Sequence, residues 1–282
     1  MRVVTTKAEL QQLLKIEKKQ QKTIGFVPTM GYLHEGHLAL VKHACQENDI
    51  VVMSIFVNPL QFGPKEDFDA YPRNQKRDEQ LAADAEVDYL FVPSVEEMYP
   101  YPLSIKLSVE QRVNVLCGNN RPGHFDGVAT VLTKLFHIIM PDRAYFGRKD
   151  AQQLAVVDGL IQDLDFPIKL VGVETVREAD GLAKSSRNVY LTDTERKEAA
   201  VLYKSLKQAE KAILEGERKP AQIIHLVKNC LNKHTNAQVE YVEIYQYPTL
   251  KEAASLHGMI LIAIAVRFKK ARLIDNLILE IP

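Results

Sequence analysis

The stretch Ile24-Gly25-Phe26-Val27-Pro28-Thr29-Met30-Gly31-Tyr32-Leu33-His34-Glu35-Gly36-His37-Leu38-Ala39-Leu40-Val41 decides how this chain is read. The apolar run Thr23 to Val27 predicts a strand, and Gly36 to Glu47 predicts a helix. Two histidines split by a glycine therefore stand where a strand hands over to a helix. At such a corner the backbone N–H groups point outward and the helix dipole favours anions. Imidazoles there, beside a glycine that lets a ligand approach the backbone, suit a nucleoside triphosphate. The chemistry they suit is attack at phosphorus.

The same alternation continues outward. Thr6 to Gln20 has the apolar spacing of an amphipathic helix, with Thr6 as N-cap and Glu9 in the capping-box position. Ile50 to Val57 is nearly all apolar, the mark of a strand buried on both faces, and Asn58-Pro59 ends it. Asn74 to Asp84 predicts a helix and Asp88 to Val92 a short strand. Gly118 to Gly127 reads as a polar, glycine-rich loop, and Val128 to Met140 as an apolar helix stopped by Pro141. The strand Ala144 to Phe146 opens onto Gly147-Arg148-Lys149-Asp150, followed by a helix over Ala151 to Asp163 and a strand over Ile168 to Val173. This order predicts an α/β fold, a Rossmann-like doubly wound parallel sheet, over residues 1–175.

The texture then changes. Thr192-Asp193-Thr194-Glu195 is a capping box that opens a long charged helix to about Glu215, and Pro220 to Asn232 is a second helix. Strands follow near Val239 to Tyr245, Met259 to Phe268 and Ala271 to Ile278. Helices followed by strands predict a smaller C-terminal α+β domain over residues 176–282.

Composition bounds the function classes. The 282 residues carry 36 Lys+Arg and 36 Asp+Glu, so no net basic excess points to nucleic acid or to a membrane surface. The longest apolar run, Met259 to Val266, is far too short to span a bilayer. No apolar segment of signal-peptide type follows Met1. The odd set of Cys45, Cys117 and Cys230 has no Cys-x-x-Cys spacing, which argues against a disulfide framework and fits a reducing cytoplasm.

Several further stretches could carry chemistry. Gly31 and Gly36 have the glycine spacing of a phosphate-binding P-loop, but His37-Leu38 stands where Lys-Ser/Thr should follow, and no Gly-x-Gly-x-x-Gly is present. Zinc ligation by His34 and His37 is a competing idea, but no nearby cysteine or third histidine completes a set of ligands. Lys184-Ser185-Ser186-Arg187 offers a mobile cation and hydroxyl donors for β- and γ-phosphates, on a loop that could close over a nucleotide. Lys149 could reach a phosphate, and Asp150 could accept from a ribose hydroxyl or simply cap the helix. The neutral amides Asn58, Gln61 and Gln153 lie beyond predicted strand ends and could hold hydroxyl or carboxylate groups without blunting a carboxylate nucleophile. Asp78 offers a carboxylate for magnesium, with a surface helix position as the plain alternative.

These motifs together resemble the pantothenate synthetase (pantoate–β-alanine ligase) family of the nucleotidyltransferase superfamily. The carriers are Pro28 to His37, Phe56 to Phe62, Tyr71-Pro72-Arg73, Pro122 to Val128, Phe146 to Asp150 with Gln152-Gln153, and Lys184 to Asn188. The resemblance implies ATP-driven condensation of pantoate with β-alanine through an enzyme-bound adenylate, with magnesium, in a homodimer joined through the N-terminal domain. It implies an ATP site from Met30, Gly31, Tyr32, Leu33, His34, Glu35, Gly36, His37, Gly147, Arg148, Lys149, Asp150, Val176, Lys184, Ser185, Ser186 and Arg187. Gln61, Gln153 and Asn58 would face pantoate and β-alanine. His37, His34, Lys149 and Lys184 would stabilise the reacting phosphates, with His37 the proton-donating or charge-stabilising histidine. Two other readings stay open at this point. One is a nucleotidyltransferase acting on a phosphate acceptor, which would need cations where Gln61 and Gln153 stand. The other is a non-catalytic nucleotide-binding regulator.

Overall fold

The computed structural model describes residues 1–63, 68–69 and 71–282. Six strands form one parallel sheet: β1 (Arg2–Val4), β2 (Ile24–Thr29), β3 (Ile50–Ile55), β4 (Tyr89–Phe91), β5 (Arg143–Gly147) and β6 (Lys169–Val173), in the order β1-β4-β3-β2-β5-β6. The chain thus winds outward from β2 and returns to its other side with β5. Side chains alternate along each strand. Phe26, Val52, Ala144 and Phe146 pack on one face against α1 (Lys7–Lys19), α5 (His124–Ile139) and α6 (Ala151–Asp163). Val27, Val51, Met53 and Tyr145 pack on the other against α2 (Glu35–Glu47) and α3 (Gln75–Asp84). A short α4 (Val95–Met98) follows β4.

The rest builds α7 (Asp193–Ala199), α8 (Val201–Leu214), α9 (Pro220–His234) and an antiparallel sheet of β7 (Gln238–Gln246), β8 (Gly258–Arg267) and β9 (Arg272–Ile281). Ile260, Ile262 and Ile264 of β8 face the three helices. Leu261 and Ala263 face the other way, onto Ala151 and Ala155 of α6 and onto Leu116. The small sheet therefore buries both faces, one in its own core and one against the first unit.

One strand is added to the expected set and two local expectations are corrected. The strand β1 went unread, because three residues with two exposed side chains carry no periodic signal; its partner β4 creates it. Thr6 caps α1, but Glu9 does not close the box, since its carboxylate is taken by Arg2 at 2.6 Å. The single helix expected from Thr192 is two, α7 and α8, with ψ of −21° at Ala200 between them. The Thr192–Glu195 capping box itself is formed. Among the described residues no helix is long and apolar enough to cross a membrane.

Candidate active site

The chain reverses its winding direction between β2 and β5, and a parallel sheet binds ligands beyond the carboxyl ends of its strands at such a point. The two loops that leave those ends are the histidine turn and Gly147-Arg148-Lys149-Asp150. They open on a cleft of about 720 Å³ lined by Met30, His34, His37, Gln61, Lys149, Asp150, Gln153, Ser185, Ser186 and Arg187.

The histidine corner is built from reciprocal capping. The His34 backbone is extended, and its Nδ1 accepts the Gly36 N–H at 3.1 Å. The His37 Nδ1 accepts the His34 N–H at 3.3 Å. Gly36 is required for that packing: a Cβ there would lie 2.8 Å from the His34 ring. The glycine thus makes room for an imidazole, where the sequence suggested room for a ligand. Because both Nδ1 atoms accept, both rings carry their proton on Nε2, and each presents an N–H donor. Burial lowers the His34 pKa to about 4 and that of His37 to about 3, with the nearby Lys149 ammonium adding to both shifts. The two imidazoles are therefore neutral donors at neutral pH in the free protein. The positive charge of the corner comes from lysine.

Lys149 lines the cleft, 3.7 Å from the Asp150 carboxylate. Asp150 makes no capping bond to α6, so its carboxylate is open to the cleft. Lys184 stands at the end of a β-like turn closed by the Arg177–Ala183 bridge and by its own N–H on the Val176 carbonyl at 2.9 Å. Its ammonium lies 3.3 Å from Glu35 and 2.9 Å from Glu178. That pairing spans from the second unit to the first turn of α2. Ser185 caps the short turn Ser186–Tyr190 by accepting the Arg187 N–H.

The amides occupy the adjoining wall. Gln61 is buried, with its Nε2 2.9 Å from the Met30 sulfur and its Oε1 accepting from Asn58. Gln153 lines the cleft from α6, next to a stripe of Val128, Val131, Leu132 and Leu135 on α5. The helix α5 begins at His124, four residues before the expected Val128. Gly127 reads as a loop residue but sits inside the helix at a position that only glycine fits, since a Cβ there would lie 2.2 Å from the Leu60 carbonyl oxygen. That close approach sets His124 against the Gln61 carbonyl, 2.7 Å from its Nδ1.

Several residues do other work than expected. Asp78 is 1% exposed, and its two oxygens accept the Tyr32 and Leu33 N–H groups at 2.7 and 2.8 Å. Those N–H groups turn inward because Gly31 and Tyr32 both have positive φ, 85° and 50°. Asp78 therefore braces the loop below the histidines and is no open metal ligand. Asn58 is also spent on structure: it bonds Gln61, the Gly127 carbonyl, the Leu60 N–H and the Tyr99 hydroxyl. Leu33 is core, Glu35 is a partner of Lys184, and Arg148 turns away to pair with Glu174. Among the described residues no cluster of three or more His, Cys, Asp or Glu could hold a metal.

The cleft also has walls to which the sequence assigned no site role, although the Tyr71 and His124 stretches carry the resemblance. Tyr71, Asn120, Arg121 and His124 line it from the first unit, and Tyr241, Arg272 and Asn276 from the small sheet. His124, one turn before the apolar stripe of α5, carried a readable signal. The sheet residues carried none, because only the docking of the second unit brings them there.

Comparison with known proteins gives the family. The family model described as pantoate-beta-alanine ligase matches residues 2–278. A pantothenate synthetase of Geobacillus sp. (strain WCH70) is 64% identical over 280 residues, covering 99% of both chains. One from Listeria monocytogenes is 55% identical over 282 residues, covering 100% of this chain and 99% of the relative. The crystal structure of pantothenate synthetase from Thermus thermophilus superposes with a TM-score of 0.92 at 48% identity, covering 98% of this chain and 99% of that one. The Francisella tularensis pantoate-beta-alanine ligase, solved with a β,γ-ATP compound and β-alanine, gives a TM-score of 0.79 at 34% identity, covering 98% and 97%. A parallel sheet whose switch point carries this histidine turn, matched along nearly its whole length, places the chain in the pantoate–β-alanine ligase family.

Proposed function

We propose that this cleft condenses (R)-pantoate with β-alanine, converting ATP to AMP and pyrophosphate through a bound pantoyl adenylate. The observation that carries the reading is the pairing of two neutral Nε2–H imidazoles and Lys149 with the uncharged Gln61 and Gln153 in one cleft. Cations hold a triphosphate, while amides hold an acid without pairing its charge. The pantoate carboxylate oxygen attacks the α-phosphorus in line, a P–O bond forms, and the bond to pyrophosphate breaks. His34, His37 and Lys149 offset the charge that develops on the phosphates. Lys184 joins them by exchanging Glu35 for phosphate. The apolar stripe of α5 holds the dimethyl carbon of pantoate and keeps water from the mixed anhydride. The free amine of β-alanine then attacks the anhydride carbonyl, AMP leaves, and the amine proton is lost to solvent. No protein nucleophile takes part.

On this reading magnesium enters with its substrate as MgATP, held by the phosphates, since magnesium keeps few protein ligands. Residues 1–175 and 176–282 act as two bodies that close on the nucleotide, which the Glu35–Lys184 pair across them supports. A homodimer through the first unit is supported by the exposed run Tyr101, Leu103 and Ile105, at 80%, 46% and 74% exposure, whose alternate apolar side chains suit strand pairing with a second copy. We place the enzyme in the cytoplasm with its substrates. The test is release of AMP and pyrophosphate with and without pantoate and β-alanine. Pantoate-dependent pyrophosphate release with no β-alanine supports the adenylate. AMP transfer to a phosphate acceptor, or no turnover, overturns it.

A further inference from the structure

The strand β9 carries two adjacent buried polar side chains, Asp275 and Asn276, only 2% and 6% exposed, opposite the aliphatic run of β8. Successive strand residues face opposite ways. Asp275 pairs in register with Ile264 and faces the helices; Asn276 pairs with Ala263 and faces the first unit. Asp275 holds Arg177 in a two-pronged ion pair at 2.6 and 2.9 Å, and the guanidinium lies 3.7 Å over the Tyr203 ring. Arg177 also donates to the Gly181 carbonyl at 3.0 Å, inside the turn that ends at Lys184. Asn276 uses both amide hydrogens on the first unit, donating to the Arg148 carbonyl at 3.0 Å and the Lys149 carbonyl at 2.8 Å. The Asp275 carboxylate accepts the Asn276 N–H at 2.8 Å, which joins the two grips.

One dipeptide thus grips the Lys149 backbone directly and, through Arg177 and the Gly181 carbonyl, the turn that ends at Lys184, from opposite faces of a strand that belongs to neither loop. We infer that Asp275 and Asn276 are positioning residues that set the separation of the Lys149 and Lys184 ammonium groups during adenylate formation, an inference that rests on the function proposed above. Burying a carboxylate and an amide here brings no packing that Ile or Leu would not supply, and their hydrogen bonds go to the two segments that carry the cations. A displacement of about 1 Å at a positioned group costs about 10²-fold in rate.

The experiment compares Asn276→Ala and Asp275→Asn with wild type in the two half-reactions. Pantoate-dependent pyrophosphate–ATP exchange reads the first, and β-alanine attack on supplied pantoyl adenylate reads the second. We expect exchange to fall by about 10²-fold and the second step to change by less than about threefold. Asn276→Ala should add nothing further in a Lys149→Ala background, as should Asp275→Asn in Lys184→Ala. Equal loss in both half-reactions, or full additivity with the lysine variants, would overturn the inference. Asn276→Ser, which keeps one donor, carries the same comparison should Asn276→Ala not fold. Failure of the proposed function would show in wild-type exchange itself, whereas failure of the positioning role shows only in the variants.

Discussion

The rings of His34 and His37 lie 4.0 Å apart, centre to centre, and each spends its Nδ1 on a backbone N–H of the turn they share. One contact thus caps α2, fixes both tautomers and leaves both Nε2–H groups as donors. The first prediction concerns that double duty. His37→Ala should lower adenylate formation by about 10²- to 10³-fold, as for loss of one preorganised donor. It should also reduce stability by about 1 kcal/mol through the lost cap. Rapid-quench kinetics and urea melts read the two effects separately, and wild-type turnover would remove His37 from the mechanism.

Acid should loosen the free protein before it reaches the range of carboxylates. An unfolded chain takes up protons on these histidines near pH 6.5, but the folded chain resists until about pH 4 at His34 and about pH 3 at His37. The unfolded state binds more protons across that window. Their contribution to stability is therefore whole above pH 6.5 and falls as pH falls through it. Urea midpoints at pH 7 and pH 5 should differ in that direction, and less so in a His34→Asn, His37→Asn double variant. An equal pH slope in both proteins would contradict the neutral assignment.

On the proposed mechanism Glu35 competes with phosphate for Lys184. Replacing it by Gln removes one of the two carboxylates on that ammonium. The pair is partly exposed, so the effect should be modest: a fall of about two- to fivefold in the KM for ATP. Lys184→Ala should weaken ATP use and spare β-alanine attack on preformed adenylate. Equal damage to both steps would count against a phosphate role.

Asp78 offers a test of bracing against metal binding. Asp78→Ala strands two inward backbone N–H groups and should destabilise the fold by about 2–4 kcal/mol. Its activity should not recover with excess magnesium, because both carboxylate oxygens are buried and already accept backbone N–H groups of the loop. Recovery in a magnesium titration would restore Asp78 as a metal ligand.

Much of this was readable along the chain wherever cause and effect are neighbours. The helix Ala151–Asp163 falls where it was expected, and the Thr192 box closes as read. Misreadings cluster where a partner is remote. Gly127 looks like a helix breaker until the Leu60 carbonyl is seen beside it, and Asp78 looks like a surface carboxylate until the inward turn of Gly31 and Tyr32 delivers two N–H groups 45 and 46 residues away.

By itself the sequence determined the alternation of strands and helices, the turn that carries two histidines, and the identity of the cations and amides, because each depends on contacts within a few residues. Only the tertiary structure decided that the imidazoles stay neutral, that Arg148 turns away, and that Asn276 grips a backbone 127 residues earlier in the chain. Burial and the direction of a hydrogen bond belong to packed surfaces, and no local pattern of residues encodes which surfaces will meet.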